Sequence, residues 1–295
     1  MLSSSQVAKV FTSKNINSVS DGDFSLLNQV AECYVDKFDD IFTIRNVFDF
    51  SFELLRKEYR NEYFYKNVIA NKILIGRHSV NTSTMFTEFR VGQNKADCVI
   101  VNDISTCYEI KTEFDNLGRL QSQLHSYLLI FDKVYVVVSD KNLTEVLQKS
   151  PFEVGVILLS KKGTLSEIRE ASLVKTPIDT KVLMRSLRRE EYIGLVKAVY
   201  GDYPKVKNTE IFRECCKLLS SADNNSVREE FRKVIRKTRA IDKDFILSLP
   251  SSLVVAGLAF DLTRNARLRL IDNMSFILSK ETVCIPQSSK VSSLN

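Results

Sequence analysis

A chain of 295 residues has room for one large domain or two smaller ones. With 44% hydrophobic and 26% charged residues, and only 9 Gly and 5 Pro, the composition is that of a globular protein, and disorder is not the default reading. The net charge of +6 permits a polyanionic partner without requiring one, and no apolar run approaches the roughly 18 residues of a membrane span.

The first fifty residues alternate polar runs with apolar clusters at 24–35 and 41–50, a pattern of short helices. One longer helix is expected across "FELLRKEYRNEYFYKNVIANKILIG". There Leu55, Tyr59, Tyr63, Ile69 and Ile73 share an apolar face and Gly76 is the stop. Three strands follow, at 85–91, 97–101 and 107–113, separated by the turn segments "GQNK" and "NDIST". "DNLGRLQSQLHSYLLIF" then switches to helical period, with Asp115 placed to cap its start. "KVYVVVSD" is a run of β-branched residues without alternation, as in a strand buried on both faces. "VGVILLSKKGTLSEIREA" adds an edge hairpin around Lys161, Lys162 and Gly163, and from Lys181 onward the pattern is mainly helical.

A boundary falls in "LVKTPIDT", where Pro177 interrupts the periodicity. The expected organisation is a helical region at 1–50, an α/β core at 51–175, a mainly helical region at 176–285 and a flexible tail at 286–295. The six cysteines form no CxxC pair and there are two histidines, which argues against structural zinc and for buried thiols in a reducing compartment. The start, "MLSSSQVAKVFTSKN", lacks an apolar signal core before a small-residue cleavage site, so a cytoplasmic location is expected.

Chemistry concentrates in "ADCVIVNDISTCYEIKTEF". Alternate residues of a strand share a face, so Glu109 and Lys111 point one way and Ile110 the other. Antiparallel pairing about Asp103 and Ile104 brings Asp97 opposite them, where cross-strand Cβ atoms lie about 4.5–5.5 Å apart. Two carboxylates so close repel unless a cation lies between them, and their hard oxygens suit Mg²⁺ or Mn²⁺. Taken alone, a Glu-x-Lys strand is more often a solvated face than a site. Its surroundings decide the matter.

In the order "RNEYFYKN", "EFRVG", "ADCVIV", "YEIKTE", "RLQSQLHSY", the chain resembles the core of the PD-(D/E)XK nuclease superfamily. Within it, the chain is similar to a poorly characterised bacterial family of such proteins. Ala96 stands where the motif often has proline. The resemblance implies an α/β, restriction-endonuclease-like αβββαβ core with a mixed central sheet, flanked by helical regions. It implies Asp97 and Glu109 as metal ligands with Glu62 or Glu88 as a further acid, Lys111 assisting the attacking water and Gln123 orienting the site. The expected activity is Mg²⁺- or Mn²⁺-dependent hydrolysis of DNA.

Arg119, Gln123 and Tyr127 recur on one helix face; Arg119, Lys66 and Arg90 are candidate phosphate contacts, and Tyr127 reads as a core aromatic. "VREEFRKVIRKTRA" sets Arg228, Arg232, Arg236 and Arg239 in one stripe, fit either to line a phosphate backbone, chiefly through Arg232 and Arg236, or to pair with Glu229 and Glu230 in solvent. The alternative function is a catalytically inactive nucleic-acid-binding or partner-regulated interaction protein of the same fold. A protein partner or homodimer is compatible with either function, and a membrane partner is not expected.

Overall fold

Strand-forming sequence is concentrated between residues 84 and 169, and in the computed structural model it builds one six-stranded sheet. The structure describes residues 2–283, so Cys284 and the expected tail at 286–295 lie outside the described residues. Contacts group the chain into two units, residues up to 67 together with those from 244 onward, and residues 68–243. The expected 1–50 region lies in the first unit and the expected core runs from the first into the second. The expected C-terminal region divides between the units at residue 243.

The first unit holds helices α1 (Ser4–Val7), α2 (Ser13–Ser20), α3 (Ser25–Cys33), α4 (Ile44–Glu58) and all but the last two residues of α5 (Glu62–Ile69). From the far end of the chain come α12 (Lys243–Ser248), whose first residue closes the second unit, α13 (Val254–Ala259), α14 (Arg264–Met274) and α15 (Lys280–Val283). Two three-residue strands, β1 (Ile41–Thr43) and β8 (Ile277–Ser279), pair antiparallel and tie the two stretches together. An aromatic cluster fills the core, with Phe11 stacked on Tyr63 at 4.5 Å and Phe64 packed on Phe52 at 5.2 Å between ring centroids.

The single long helix expected at 52–76 is broken. Tyr59 leaves helical geometry at φ −148°, and the Asn61 side chain accepts from the Phe64 amide to start α5 afresh. Beyond α5 the backbone widens into a π-helix over Ala70–Ile75 before Gly76.

In the second unit the sheet order is β2 (Thr84–Val91), β3 (Asn94–Val101), β4 (Ser105–Lys111), β5 (Lys133–Val138), β6 (Gly155–Leu159) and β7 (Leu165–Arg169). Strands β2 to β4 form an antiparallel meander, β4, β5 and β6 run parallel, and β6 and β7 close an antiparallel hairpin at Gly163 (φ 80°). Parallel neighbours need a crossover, supplied by α6 (Leu120–Leu128) and α7 (Leu143–Lys149). Central β5 buries Val134, Val136, Val137 and Val138 completely, as its unbroken β-branched run requires. The chain is thus mixed α/β, with a mixed six-stranded sheet and helical flanks.

Two local expectations change. Strand β4 ends at Lys111, because the Asp115 carboxylate accepts from the Thr112 amide and hydroxyl and closes a turn there. Asp115 therefore does not cap the next helix, whose N-cap is Arg119.

Helices α8 (Thr180–Ser186), α9 (Arg189–Tyr200), α10 (Asn208–Ser220) and α11 (Asn224–Thr238) complete this unit. The break between α8 and α9 follows from Glu191, whose carboxylate accepts from the Arg188 amide and so starts a new helix. The arginine stripe of α11 turns inward rather than toward Glu229 and Glu230. Asp132, just before β5, accepts from Arg228 and Arg232, each at 3.0 Å, and from the Ser105 amide and hydroxyl. Arg239 forks onto Glu191 at 2.6 and 2.9 Å while its guanidinium lies over the rings of Phe86 and Phe89. Burial alone would raise the Glu191 carboxyl, but the Arg239 and Arg188 hydrogen bonds outweigh it and hold the group below the ordinary carboxylate range. Among the described residues no helix is long and apolar enough to cross a membrane.

Candidate active site

Register assembles the site. On one side Thr87 faces Cys98 and Phe89 faces Ala96, which sets Glu88 across from Asp97. On the other, the last β3–β4 pair is Cys98 with Tyr108, so the next position along sets Asp97 across from Glu109. Three acids thus form a row over three neighbouring strands. The β3–β4 ladder opens where the row begins, and the Asp97 carboxylate itself accepts from the Ile110 amide at 2.6 Å. Glu88 and Asp97 bring carboxylate oxygens within 4.8 Å of each other.

Glu88 carries a second signal. Its φ of 58° is the one left-handed backbone among the described non-glycine residues. A Cβ at such an angle costs about 1–2 kcal/mol. Strain of this kind persists where the surroundings over-determine it, commonly at functional sites. Lys95 offsets part of the local negative charge, its ammonium 2.9 Å from the Glu88 carboxylate at an exposed position.

Behind the row lies a buried knot of polar groups. Glu109 is 1% exposed; its Oε1 accepts from Lys111 Nζ at 2.7 Å and from Gln123 Nε2 at 2.6 Å. Lys111 also donates to Gln123 Oε1 at 3.0 Å, so lysine, glutamate and amide close a triangle. The Tyr127 hydroxyl lies 2.9 Å from Glu109 Oε2 and 2.8 Å from the Lys95 carbonyl. Two periodicities converge here, since residues two apart on β4 and four apart on α6 each share a face. Burial raises the Glu109 carboxyl above its ordinary value, against the opposing pull of the Lys111 ammonium and its hydrogen bond. Tyr127 is raised as well, first by burial and then by the charge of Glu109.

The sequence candidates therefore fall into groups. Asp97, Glu109, Lys111, Gln123 and Glu88 come together in the second unit. Tyr127 is fully buried, as a core aromatic should be, yet its hydroxyl anchors the site. Glu62 opens α5 in the first unit and forms an ion pair with Lys66 one turn on. Arg119 and Arg90 are exposed. Arg232 is held by Asp132, and Arg236 lies 3.6 Å from the Asp103 carboxylate. Sequence reading missed Lys95 as the counter-charge to Glu88, and no local pattern marks it. The left-handed angle at Glu88 was equally invisible.

Fold and site define an α/β protein with a mixed six-stranded sheet, carrying an acid row and a buried lysine–glutamate–glutamine triangle on strands β2 to β4 and helix α6. By sequence, the chain belongs to the family described as "Bacteriophage P4 protein cII", whose model matches residues 55–253. It is similar to "Protein cII" of Enterobacteria phage P4, with 26% identity over 179 residues, covering 58% of this chain and 65% of that protein. The chain thus spans just under two thirds of the length of the curated relative it matches. No solved structure matches. The matched region takes in the whole sheet and every residue of the site.

Proposed function

We propose that this chain is a Mg²⁺- or Mn²⁺-dependent phosphodiesterase acting on DNA, with a restriction-endonuclease-like core of the PD-(D/E)XK type. The observation that carries the reading is the acid row, in which Glu88, at a strained backbone angle, holds an oxygen within 4.8 Å of Asp97. Hard carboxylate oxygens in that arrangement fit a small divalent cation, which would relieve their repulsion. Asp97 and Glu88 would hold it, with Glu109 behind them; Glu62 remains a sequence-derived candidate for a further acid. A bound ion supplies positive charge that acidifies a water and offsets charge on the leaving oxygen.

The remaining roles belong to the chain. Lys111 presents its ammonium to the attacking water or to the charge building on the phosphoryl oxygens. Gln123 holds both Lys111 and Glu109 in register through its two amide atoms. Tyr127 fixes the other Glu109 oxygen. Glu109 is useful as a ligand when ionised, and the Lys111 ammonium favours that form.

The test is cleavage of duplex, branched and single-stranded DNA, and of RNA, by purified protein in Mg²⁺, Mn²⁺ or EDTA. Metal-dependent cutting of DNA that disappears in Asp97→Ala and Lys111→Ala is expected. Failure to cut in either metal, or variants that cut as the wild type does, would sink the proposal. Preference for RNA would correct the substrate.

One observation favours the alternative of a non-catalytic nucleic-acid-binding or partner-regulated protein. Glu109 is almost wholly buried and already satisfied by Lys111, Gln123 and Tyr127. Such a protein would bind DNA in a salt-sensitive manner without cutting it, and Lys111→Ala would leave that binding intact.

A further inference from the structure

A second polar feature lies at the start of β2. Residues 80–84 and the end of α11 with the segment after it line a groove of about 610 Å³. Four of its lining side chains are cationic: Lys233, Arg236, Lys237 and Lys243. Lys233 is paired with Glu229 and Glu230, and Arg236 donates to the Thr82 carbonyl at 3.3 Å. Lys237 and Lys243 have no carboxylate within ion-pair distance among the described residues.

Basic residues in the last turn of a helix ordinarily offset its dipole, and that accounts for Arg236 and Lys237. It does not account for Lys243, which lies beyond α11. Nor does it account for Ser83, which lines the same groove, is 5% exposed and has a buried hydroxyl without a hydrogen-bond partner. A buried hydroxyl left unpaired costs about 1–3 kcal/mol, so Ser83 beside two unpaired cations is an uncommitted donor. An anion with oxygen acceptors would answer both the two lysines and the hydroxyl.

We propose that this groove holds a phosphate group of the bound nucleic-acid strand, away from the acid row. This rests on the nucleic-acid reading given above. Thr84 and Glu88 are four positions apart on β2, about 13 Å at 3.3 Å per residue. That separation is about four phosphates of duplex rise at 3.4 Å each. Lys237 and Lys243 neutralise the phosphate, and Ser83, by turning its buried hydroxyl out to the groove, donates to one of its oxygens. The groove thus grips the backbone without reading bases.

The experiment uses the full chain in EDTA, where no metal-dependent cleavage occurs. Fluorescence anisotropy measures binding of labelled duplex and single-stranded oligonucleotides across a salt series. Thermal shift with inorganic tripolyphosphate tests for a free polyphosphate in the same groove. The double variant Lys237→Ala/Lys243→Ala is expected to bind oligonucleotide about tenfold more weakly, with the slope of log K against log salt reduced by about 0.9, the share of one phosphate. Ser83→Ala is expected to bind several-fold more weakly while melting no lower than the wild type without ligand, because it removes an unsatisfied hydroxyl. A merely structural serine would show the opposite pair of results.

An unchanged salt slope in the double variant, or undiminished binding by Ser83→Ala, overturns the assignment. Groove-dependent binding of tripolyphosphate with no oligonucleotide bound overturns the strand assignment in favour of a free polyphosphate. Groove-dependent oligonucleotide binding with no cleavage in any metal upholds this site and defeats the nuclease proposal. Cleavage by a protein whose binding ignores all three substitutions does the reverse.

Discussion

Replacing Lys111 by methionine keeps the apolar stem and removes the ammonium from a nearly closed site. Lys111 is 7% exposed and Glu109 is 1% exposed, with 2.7 Å between Nζ and Oε1. If Glu109 stayed ionised, breaking the buried pair would cost about 3–5 kcal/mol. The carboxyl has another course, which is to bind a proton. Burial already sets its folded-state value above the unfolded one. Between those two values the native state holds a proton that the unfolded chain has released. Stability therefore falls as pH rises through that window, by about 1.4 kcal/mol per pH unit.

Below the ordinary carboxylate value of about 4.3 both states are protonated and the penalty vanishes. Removing Lys111 extends the window upward, so the deficit of Lys111→Met against wild type should be smallest at pH 5. It should grow by about 1–3 kcal/mol by pH 8, within the ceiling for the broken pair. Urea unfolding at pH 5, 6.5 and 8 measures it, with native-state amide exchange at Ile110 and Lys111 reporting on the sheet unit. A deficit equal at pH 5 and pH 8, or no deficit at all, would refute the reasoning that Glu109 depends on Lys111 for its charge.

Glu88→Gly should be more stable than Glu88→Ala by about 1 kcal/mol, because glycine alone is at ease at a φ of 58°. Both should lose metal-dependent cleavage, and equal melting temperatures would remove the evidence for strain. Asp132→Ala strands the buried Arg228 guanidinium and should cost about 3–5 kcal/mol in urea unfolding; a loss below about 1 kcal/mol would show that water reaches it. Gly155→Ala would place a Cβ 2.3 Å from the Tyr135 ring and 2.7 Å from the Ala171 amide nitrogen. It should destabilise the sheet by about 1–3 kcal/mol, seen as a lower urea midpoint at constant m-value.

Local periodicity made the middle of the chain legible. Turn segments marked off strands β2 and β3, the unbroken valine run marked β5, and the four-residue recurrence of Gln123 and Tyr127 marked one face of α6. Because the period of a strand is two and that of a helix near four, sequence also placed Glu109 beside Lys111 and Gln123 below Tyr127. The strand register then joined these into one site, with Asp97 at the position opposite Glu109.

What sequence could not supply were partners contributed from far along the chain. Strands β1 and β8 are three residues each, too short for a periodic signal, and are separated by most of the chain. The break at Tyr59 turned on one Asn61 side chain caring for the Phe64 amide, which no helical period reveals. The arginines at 228–239 read as a surface stripe, yet two of them on α11 answer Asp132, and Arg239 at its C-cap answers Glu191. A helix face is set by spacing within the helix, whereas what that face meets is set by desolvation and charge pairing with distant residues. Sequence by itself determined which side chains share a face; tertiary structure decided which faces meet, and so which charges are buried and which backbone is strained.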